Sequence, residues 1–396
     1  MIAAARVAAA IEVLDAVLSG TSAEKALTHW GRTHRFAGSG DRAAIRDLVF
    51  DGLRGWRSLG ALGGSDTGRG IMIGLARRDG QDVTRIFTGT GHAPAVLGPN
   101  DTVKSQISDA VQADLPDWLY PMFMTDLGGQ AAAVLEVMQS RAAAFLRVNL
   151  RQGPLQIAIN RLADDGIATT PHPYVKTALQ IITNARKIQT SHAYLAGLVE
   201  LQDAASQEAV LRLPLRDGQR ILDYCAGGGG KALAMAALTT AQVFAHDAAP
   251  RRMVDLSPRA ARAGVNIIQL LTSSLLDQPK FNLVLVDAPC SGSGTWRRTP
   301  DAKWRFGPGD LAGLVALQAD ILRQAASLVT VDGTLAYATC SVLQVENQLQ
   351  VERFLAANPN WVQVDEWQHL PSFLGDGFYL GLLQRRPKQP KVAQNA

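Results

Sequence analysis

Three cysteines punctuate the chain, Cys225, Cys290 and Cys340, and the surroundings of two of them suit a reactive thiol. Cys290 sits in Asp287-Ala288-Pro289-Cys290-Ser291-Gly292-Ser293-Gly294-Thr295, directly after the apolar run NLVLV. Cys340 sits in Thr339-Cys340-Ser341, directly after LAYA. An odd number of cysteines cannot pair completely, none forms a Cys-x-x-Cys, and no His lies at metal-ligand spacing from them. Neither a disulfide framework nor a metal site is expected. A lone cysteine is ordinarily a small buried apolar residue, which would place it inside a strand. These two fall just past strand ends, where an α/β sheet displays its reacting groups. Their thiolates would serve covalent catalysis.

A second constellation reads Asp223-Tyr224-Cys225-Ala226-Gly227-Gly228-Gly229-Gly230-Lys231, between the strand pattern RILD and the helix pattern KALAMAAL. Glycines let a backbone approach a ligand closely. The next strand pattern, AQVFAHD, ends in Asp247, an acid placed to accept both hydroxyls of a ribose. Gly227, Gly229 and Ala232 satisfy the tolerant form of the dinucleotide fingerprint, so a dinucleotide remains open. Ala232 stands where a phosphate loop needs Ser or Thr after Gly-Lys, which disfavours a nucleoside triphosphate. A run of four glycines could also be no more than a flexible turn.

These groups need a scaffold. From about residue 215 to 385, short apolar runs (RILDYCAG, AQVFAHD, NIIQLL, NLVLVDAP, GTLAYATC, GFYLGLLQRR) alternate with helical patterns, which implies a mostly parallel, doubly wound sheet. Residues 140–205 read as a small α+β unit, with FLRVNL and ALQIIT as strands, LQIAINRLADDGI as a helix, and a helix around Ala204–Leu213 leading out. Residues 1–130 read as helical. Val7, Ile11, Leu14, Val17 and Leu18 share one face, Thr21-Ser22-Ala23-Glu24 has the form of a capping box, and Asp41 caps a helix carrying Ile45, Leu48, Val49 and Leu53. Arginines cluster there: Arg32, Arg35, Arg42, Arg46, Arg54 and Arg57. They form either a solvated face or a phosphate-contacting surface.

Lys and Arg total 39 against 35 Asp and Glu, a net charge of +4 that permits an anionic partner without requiring one. No run of ~18 uncharged apolar residues suggests a membrane span. Glu12 and Asp15 interrupt the apolar N-terminus, so it reads as an amphipathic helix rather than a signal peptide, and a cytoplasmic protein is expected. The basic, proline-containing stretch from Arg385 reads as a disordered tail.

Taken together, CAGGGGK, the Asp247 strand end, DAPCSGSGT followed by RRTPDAKWRF, and YATCSV followed by Glu346-Asn347 resemble the Sun/Fmu-type RNA cytosine-5 methyltransferase family. Asp376-Gly377-Phe378-Tyr379, Leu201-Gln202-Asp203-Ala204-Ala205-Ser206-Gln207 and Leu146-Arg147-Val148-Asn149 extend the resemblance, and the helical front is similar to the family's NusB-like RNA-binding domain. It implies a NusB-like domain over 1–130, a small α+β subdomain over 135–205, a Rossmann-like class I methyltransferase domain over 206–386 and a tail over 387–396. The implied cofactor is S-adenosylmethionine, held by Cys225, Ala226, Gly227, Gly228, Gly229, Gly230, Lys231, Asp247, Ala248, Arg252, Thr272, Ser273, Asp287 and Pro289.

The implied reaction methylates carbon 5 of a cytosine in RNA. Carbon 5 is a poor nucleophile until a thiolate adds to carbon 6. The family implies Cys340 as that thiolate and Cys290 as the thiol that assists release. Asp287 is implied to bind the base edge, and Lys231 to hold the base or lower a thiol pKa. In DNA cytosine methyltransferases a Pro-Cys is the nucleophile, so Cys290 is the alternative. Arg297, Arg298, Lys303 and Arg305, interleaved with Trp296 and Trp304, suit an RNA backbone with stacked bases, or else form a packed loop with a charged rim. Arg42, Arg46 and Arg147 are further candidates for RNA contact. The implied partner is small-subunit ribosomal RNA, with transfer RNA as the alternative, and the protein is expected to act as a monomer.

The chain departs from the family pattern. The family's CAAPGGKT becomes CAGGGGKA here, which loses a proline of fixed φ. Thr272 and Ser273 stand where an acid usually lies near the adenine, and Arg259 stands where Asn is frequent. Weaker cofactor binding is expected. A non-catalytic RNA-binding relative and a nucleotide-dependent oxidoreductase are the competing readings; the second leaves the paired thiols unexplained.

Overall fold

The computed structural model describes residues 1–386. The expected tail over 387–396 lies outside the described residues. By its contacts the chain divides into two compact units, one of Met1–Ala142 with Thr295–Pro308 and one of Ala143–Gly294 with Gly309 onward.

The first unit is helical. Helices Ala3–Leu18, Ala23–Thr33, Ser39–Arg54, Trp56–Gly63 and Gly68–Arg78 bury a core built on Leu14, Ile45, Val49, Leu53, Leu59 and Ile71. In the first helix the buried line runs through Ala9, Ala10, Val13, Leu14 and Val17. Val7 and Ile11 lie at its edge. The small residues allow close helix approach, which an apolarity pattern weighted to large side chains misses. Two expected caps are absent. The second helix starts after Ser22 without a side-chain cap. Asp41 lies inside the first turn of the third helix and accepts a hydrogen bond from Arg6 Nε at 2.9 Å.

The second unit holds two sheets. The smaller contains β1 (Phe145–Val148), β2 (Thr169–Pro171), β3 (Ala178–Ile181) and β4 (Val199–Leu201), in the order β2-β3-β1-β4 and antiparallel throughout. Helix Leu155–Asp164 covers it through Ala158 and Leu162.

The larger sheet contains β5 (Arg220–Asp223), β6 (Gln242–His246), β7 (Ile267–Leu270), β8 (Phe281–Asp287), β9 (Val329–Thr339), β10 (Trp361–His369) and β11 (Phe378–Arg385). Their order is β10-β11-β9-β8-β5-β6-β7. β5 to β9 run parallel, while β11 pairs antiparallel with both β9 and β10. Parallel strands covered on both faces read as continuous apolar runs, and β8 buries Leu283, Val284, Leu285 and Val286 in succession. From β5 the chain winds outward to β6 and β7, then returns to β8 on the other side of β5. The carboxyl ends of β5 and β8 therefore flank the switch point where such sheets bind ligands. β10 is not legible as a strand in the sequence. Its Asp365 and Glu366 are exposed, and a bulge between Gln363 and Asp365 breaks its alternation.

Among the described residues no helix is long and apolar enough to cross a membrane.

Candidate active site

The parallel pairing of β8 with β9 sets Asp287 opposite Ala338, so the loops that follow, carrying Cys290 and Cys340, emerge side by side. The two sulfurs lie 3.5 Å apart and share a hydrogen bond. That hydrogen bond, and after it burial, hold the Cys290 thiol well above its ordinary pKa. Cys225 is driven upward mainly by burial, with Asp223 adding to the effect.

A buried network fixes the two loops to each other. Glu346 is fully buried. Its Oε1 accepts from Ser291 N at 2.8 Å and Gln318 Nε2 at 3.0 Å, and its Oε2 accepts from Ser291 Oγ and Ser341 Oγ, both at 2.5 Å. Asn347 Nδ2 donates to Ser341 O at 2.9 Å, and Gly294 N donates to Cys340 O at 2.9 Å. The Glu346 side chain, with no ion pair among the described residues, is tolerated in the interior because several donors converge on it. Gly294 and Gly377 touch backbone to backbone: a Cβ on Gly377 would stand 2.7 Å from Gly294 Cα. Sequence reasoning does not single out Ser291, Ser341 or Gln318, and it marks Glu346 only as part of a motif. A polar residue shortly after each strand end is the available signal.

Lys231 enters from the helix Gly230–Leu238 and donates to Asp287 Oδ2 at 2.6 Å. Burial opposes its charge, but Asp287, Asp223 and Cys340 more than offset this, and its pKa is raised. Beneath it Asp223, 1% exposed, has no hydrogen-bond partner on either oxygen among the described residues. Burial, reinforced by Asp287, pushes Asp223 up to about 7.

The glycine-rich turn links β5 to that helix. Gly229 has φ +77°, and a Cβ there would meet Leu256 Cδ1 at 2.2 Å, so only glycine fits. Asp247, 3% exposed, accepts from Gly227 N at 2.9 Å and Arg252 Nη1 at 3.0 Å through Oδ2, and from Ala249 N at 2.9 Å through Oδ1. His246 Nδ1 lies 2.7 Å from Tyr224 O, which can only accept, so Nδ1 carries the proton. Burial lowers the His246 pKa, so the ring is neutral and its Nε2 accepts from Thr272 Oγ at 2.9 Å. The exposed Thr272 oxygen thus keeps lone pairs for an outside donor. The neighbouring Ser273 is exposed, and Pro289 O accepts from Gln318 Nε2 at 2.9 Å.

Of the residues expected to meet RNA, Arg147, Arg297 and Lys303 are buried in the fold, while Arg42, Arg46 and Arg305 are exposed and also bond within the chain. Arg147 is 5% exposed and donates to Gln202 Oε1 and Gly230 O at 2.6 and 2.7 Å. Burial brings it down to about 10, which leaves it charged. The segment Thr295–Pro308 packs into the helical unit. There Trp296 stacks on Phe123, Trp304 Nε1 donates to Leu53 O at 2.9 Å, and Arg54 Nε donates to Arg297 O at 2.7 Å. Arg297 and Lys303 are buried, and burial takes Lys303 down to about 8 against the opposing charge of Asp114. Aromatic and basic side chains in alternation here pack into the helical unit. Arg305 pairs with Asp301 at 2.8 Å, Arg46 pairs with Glu24, and Arg42 Nε donates to Ala37 O at 3.0 Å. Arg298 belongs to the same packed segment. Arg32 and Arg35 are exposed.

The family model for 16S rRNA methyltransferase RsmB/F matches residues 210–379, and the ferredoxin-like domain of RsmF/B-like methyltransferases matches 115–189. Ribosomal RNA small subunit methyltransferase B of Vibrio cholerae is 32% identical over 291 residues, covering 70% of this chain and 67% of that protein. The chain belongs to the RsmB/F rRNA methyltransferase family. Another RsmB/F relative, ribosomal RNA small subunit methyltransferase B of Salmonella arizonae, is 32% identical over 285 residues, 68% of this chain and 66% of that protein, so the match spans just under two thirds of its length. The solved structure of PH0851 superimposes with a TM-score of 0.77 at 20% identity, covering 97% of this chain and 99% of that one; a methyltransferase homologue from Pyrococcus horikoshii does so at 0.62 and 21%, covering 71% and 100%. At such identities the likeness is one of fold. RsmB/F methyltransferases use S-adenosylmethionine as cofactor. The residues present fit it: a buried acid at the β6 end, a glycine turn with room for close approach, and a neutral acceptor at Thr272.

Proposed function

We propose that the chain methylates carbon 5 of a cytosine in small-subunit ribosomal RNA through a covalent adduct between Cys340 and carbon 6. The observation that carries the reading is the pair of sulfurs 3.5 Å apart beside a Lys231–Asp287 ion pair.

Cys225 to Gly230 and Asp247 would hold the cofactor at the carboxyl ends of β5 and β6, with Thr272 near its adenine. S-adenosylmethionine supplies an electrophilic methyl group. Cys340 is taken as the thiolate on the family resemblance, its proton passing to solvent, and Cys290 keeps its proton because ionising both sulfurs side by side is costly. The Cys340 electron pair forms the bond to carbon 6, and carbon 5 becomes nucleophilic. Asp287 holds the base edge, and Lys231 holds Asp287 in place through their hydrogen-bonded ion pair. Once the Cys340 sulfur is bonded to carbon, its charge no longer opposes ionisation of Cys290, which gives up its own proton to solvent and becomes the thiolate base. Cys290 can then take the proton from carbon 5, the double bond between carbons 5 and 6 re-forms, and Cys340 leaves as thiolate. The target base must be unstacked to reach these groups. The exposed Arg32 and Arg35 of the helical unit are candidates for phosphate contact.

The test incubates the protein with total RNA and methyl-labelled S-adenosylmethionine and maps 5-methylcytosine. Cys340→Ala is expected to give neither product nor adduct. Cys290→Ala is expected to accumulate an RNA adduct that survives denaturation. Full activity of Cys340→Ala refutes the nucleophile assignment, and absence of transfer by the wild type to any RNA favours a binding role.

A further inference from the structure

The turn from Cys225 to Lys231 holds four consecutive glycines, the residue type that loses most conformational freedom on ordering. Left alone, it would impose that cost on ligand binding. Two guanidinium groups act on it from outside. Arg259, on the helix Leu256–Ala263, donates through Nη1 to Gly228 O and through Nη2 to Glu200 Oε2 at 3.0 Å. Glu200, on β4, is 3% exposed and also accepts from Arg262. Arg147, on β1, donates through the same Nη1 to Gly230 O at 2.7 Å and to Gln202 Oε1 at 2.6 Å. The carbonyls on either side of Gly229 are therefore tied to side chains anchored on the small sheet. A Cβ on Gly228 would meet only Arg259 Nη1, at 3.2 Å. Gly228 is not among the glycines with positive φ, so its backbone does not demand glycine, and Arg259 fills the space that a side chain would occupy.

We infer that Arg259 and Arg147 are positioning residues that hold the four-glycine turn in its ligand-receiving shape, with Arg259 supplying the stiffness that a proline at position 228 would otherwise give. The inference rests on the S-adenosylmethionine reading of the turn. Neither arginine needs to touch the ligand: both act through carbonyl groups, which leaves the inner surface of the turn to the cofactor. The small sheet thereby has a part in cofactor affinity.

Calorimetric titration with S-adenosylhomocysteine tests this, with far-UV circular dichroism to verify the fold of each variant. Arg259→Ala is expected to weaken binding about tenfold, the worth of one charge-assisted hydrogen bond, with the loss in the entropy of binding. Arg259→Lys, which keeps the charge but not the two-ended reach, falls between. Adding Gly228→Pro to Arg259→Ala is expected to recover most of the affinity, because the ring restores a fixed φ in space the arginine has vacated. Wild-type binding with unchanged affinity in Arg259→Ala overturns the clamp alone. Weakened binding that Gly228→Pro fails to recover overturns it too, since Arg259 would then act other than by restraining the turn. A wild type that does not bind overturns the cofactor reading and the clamp with it.

Discussion

Replacing Asp223 with Asn is expected to stabilise the large sheet progressively as pH rises from 4 to 7. Asp223 is 1% exposed, has no hydrogen-bond partner on either oxygen among the described residues, and lies near Asp287. Its carboxyl titrates near 7 in the fold instead of at the ordinary 3.8. The folded state therefore binds the proton more tightly than the unfolded chain. Below 3.8 both states are protonated and nothing is lost. Between 3.8 and about 7 the unfolded chain has released a proton that the fold retains, so stability falls as pH rises, by about 1.4 kcal/mol per pH unit. Above about 7 the penalty is complete, at about 4 kcal/mol. Asn does not titrate. It carries its own unpaired polar atoms, a cost independent of pH, so the slope rather than the absolute level is the test. Hydrogen exchange of the β5 and β6 amides, corrected for intrinsic rates, reads the opening free energy of this sheet without requiring the two units to unfold together. Between pH 5 and pH 7 the stability of the Asp223→Asn variant relative to wild type should increase by about 2 kcal/mol, then level off. A difference that stays constant across this range, or one that shrinks, refutes the assignment of a strained buried carboxylate.

Glu346→Ala should cost about 3–5 kcal/mol in urea unfolding, because four donors lose a shared buried acceptor; single-turnover methyl transfer should fall at least about tenfold as the thiols lose their spacing. Gly377→Ala should destabilise by about 1–3 kcal/mol through overpacking against Gly294 and should lower the yield of the Cys290→Ala adduct in the double variant, measured by denaturing gel. Arg32→Ala with Arg35→Ala should reduce the slope of log affinity for RNA against log salt by about 1–2. Arg297→Ala should lower the melting temperature of the helical unit and leave that slope unchanged, because its side chain is buried.

Local chemistry makes much of the site legible. Strands of continuous apolar character announce a parallel sheet, and the residues just past their ends are placed by backbone geometry alone, so Asp247, Asp287, Cys290 and Cys340 can be located along the chain. A glycine-rich turn after β5 is legible in the same way, whereas the left-handed φ at Gly227 and Gly229 is set by the fold. What the tertiary structure decided concerns partners distant in sequence. Trp296, Arg297 and Lys303 look like an RNA-binding stretch until Phe123, Arg54 and Asp114 are brought against them; a basic and aromatic pattern is the same whether it faces RNA or a groove between helices. Asp41 and Thr21 have the form of caps, yet Asp41 is drawn to Arg6, and the cap position of the second helix falls one residue past Thr21, at Ser22. Glu346 reaches Ser291 across 55 residues, and Arg259 reaches Gly228 across 31. Periodicity and turn chemistry are properties of neighbouring residues, so the sequence carries them directly. The partner of a buried charge is chosen by which surfaces meet when the sheets and helices pack, and only the folded chain states that.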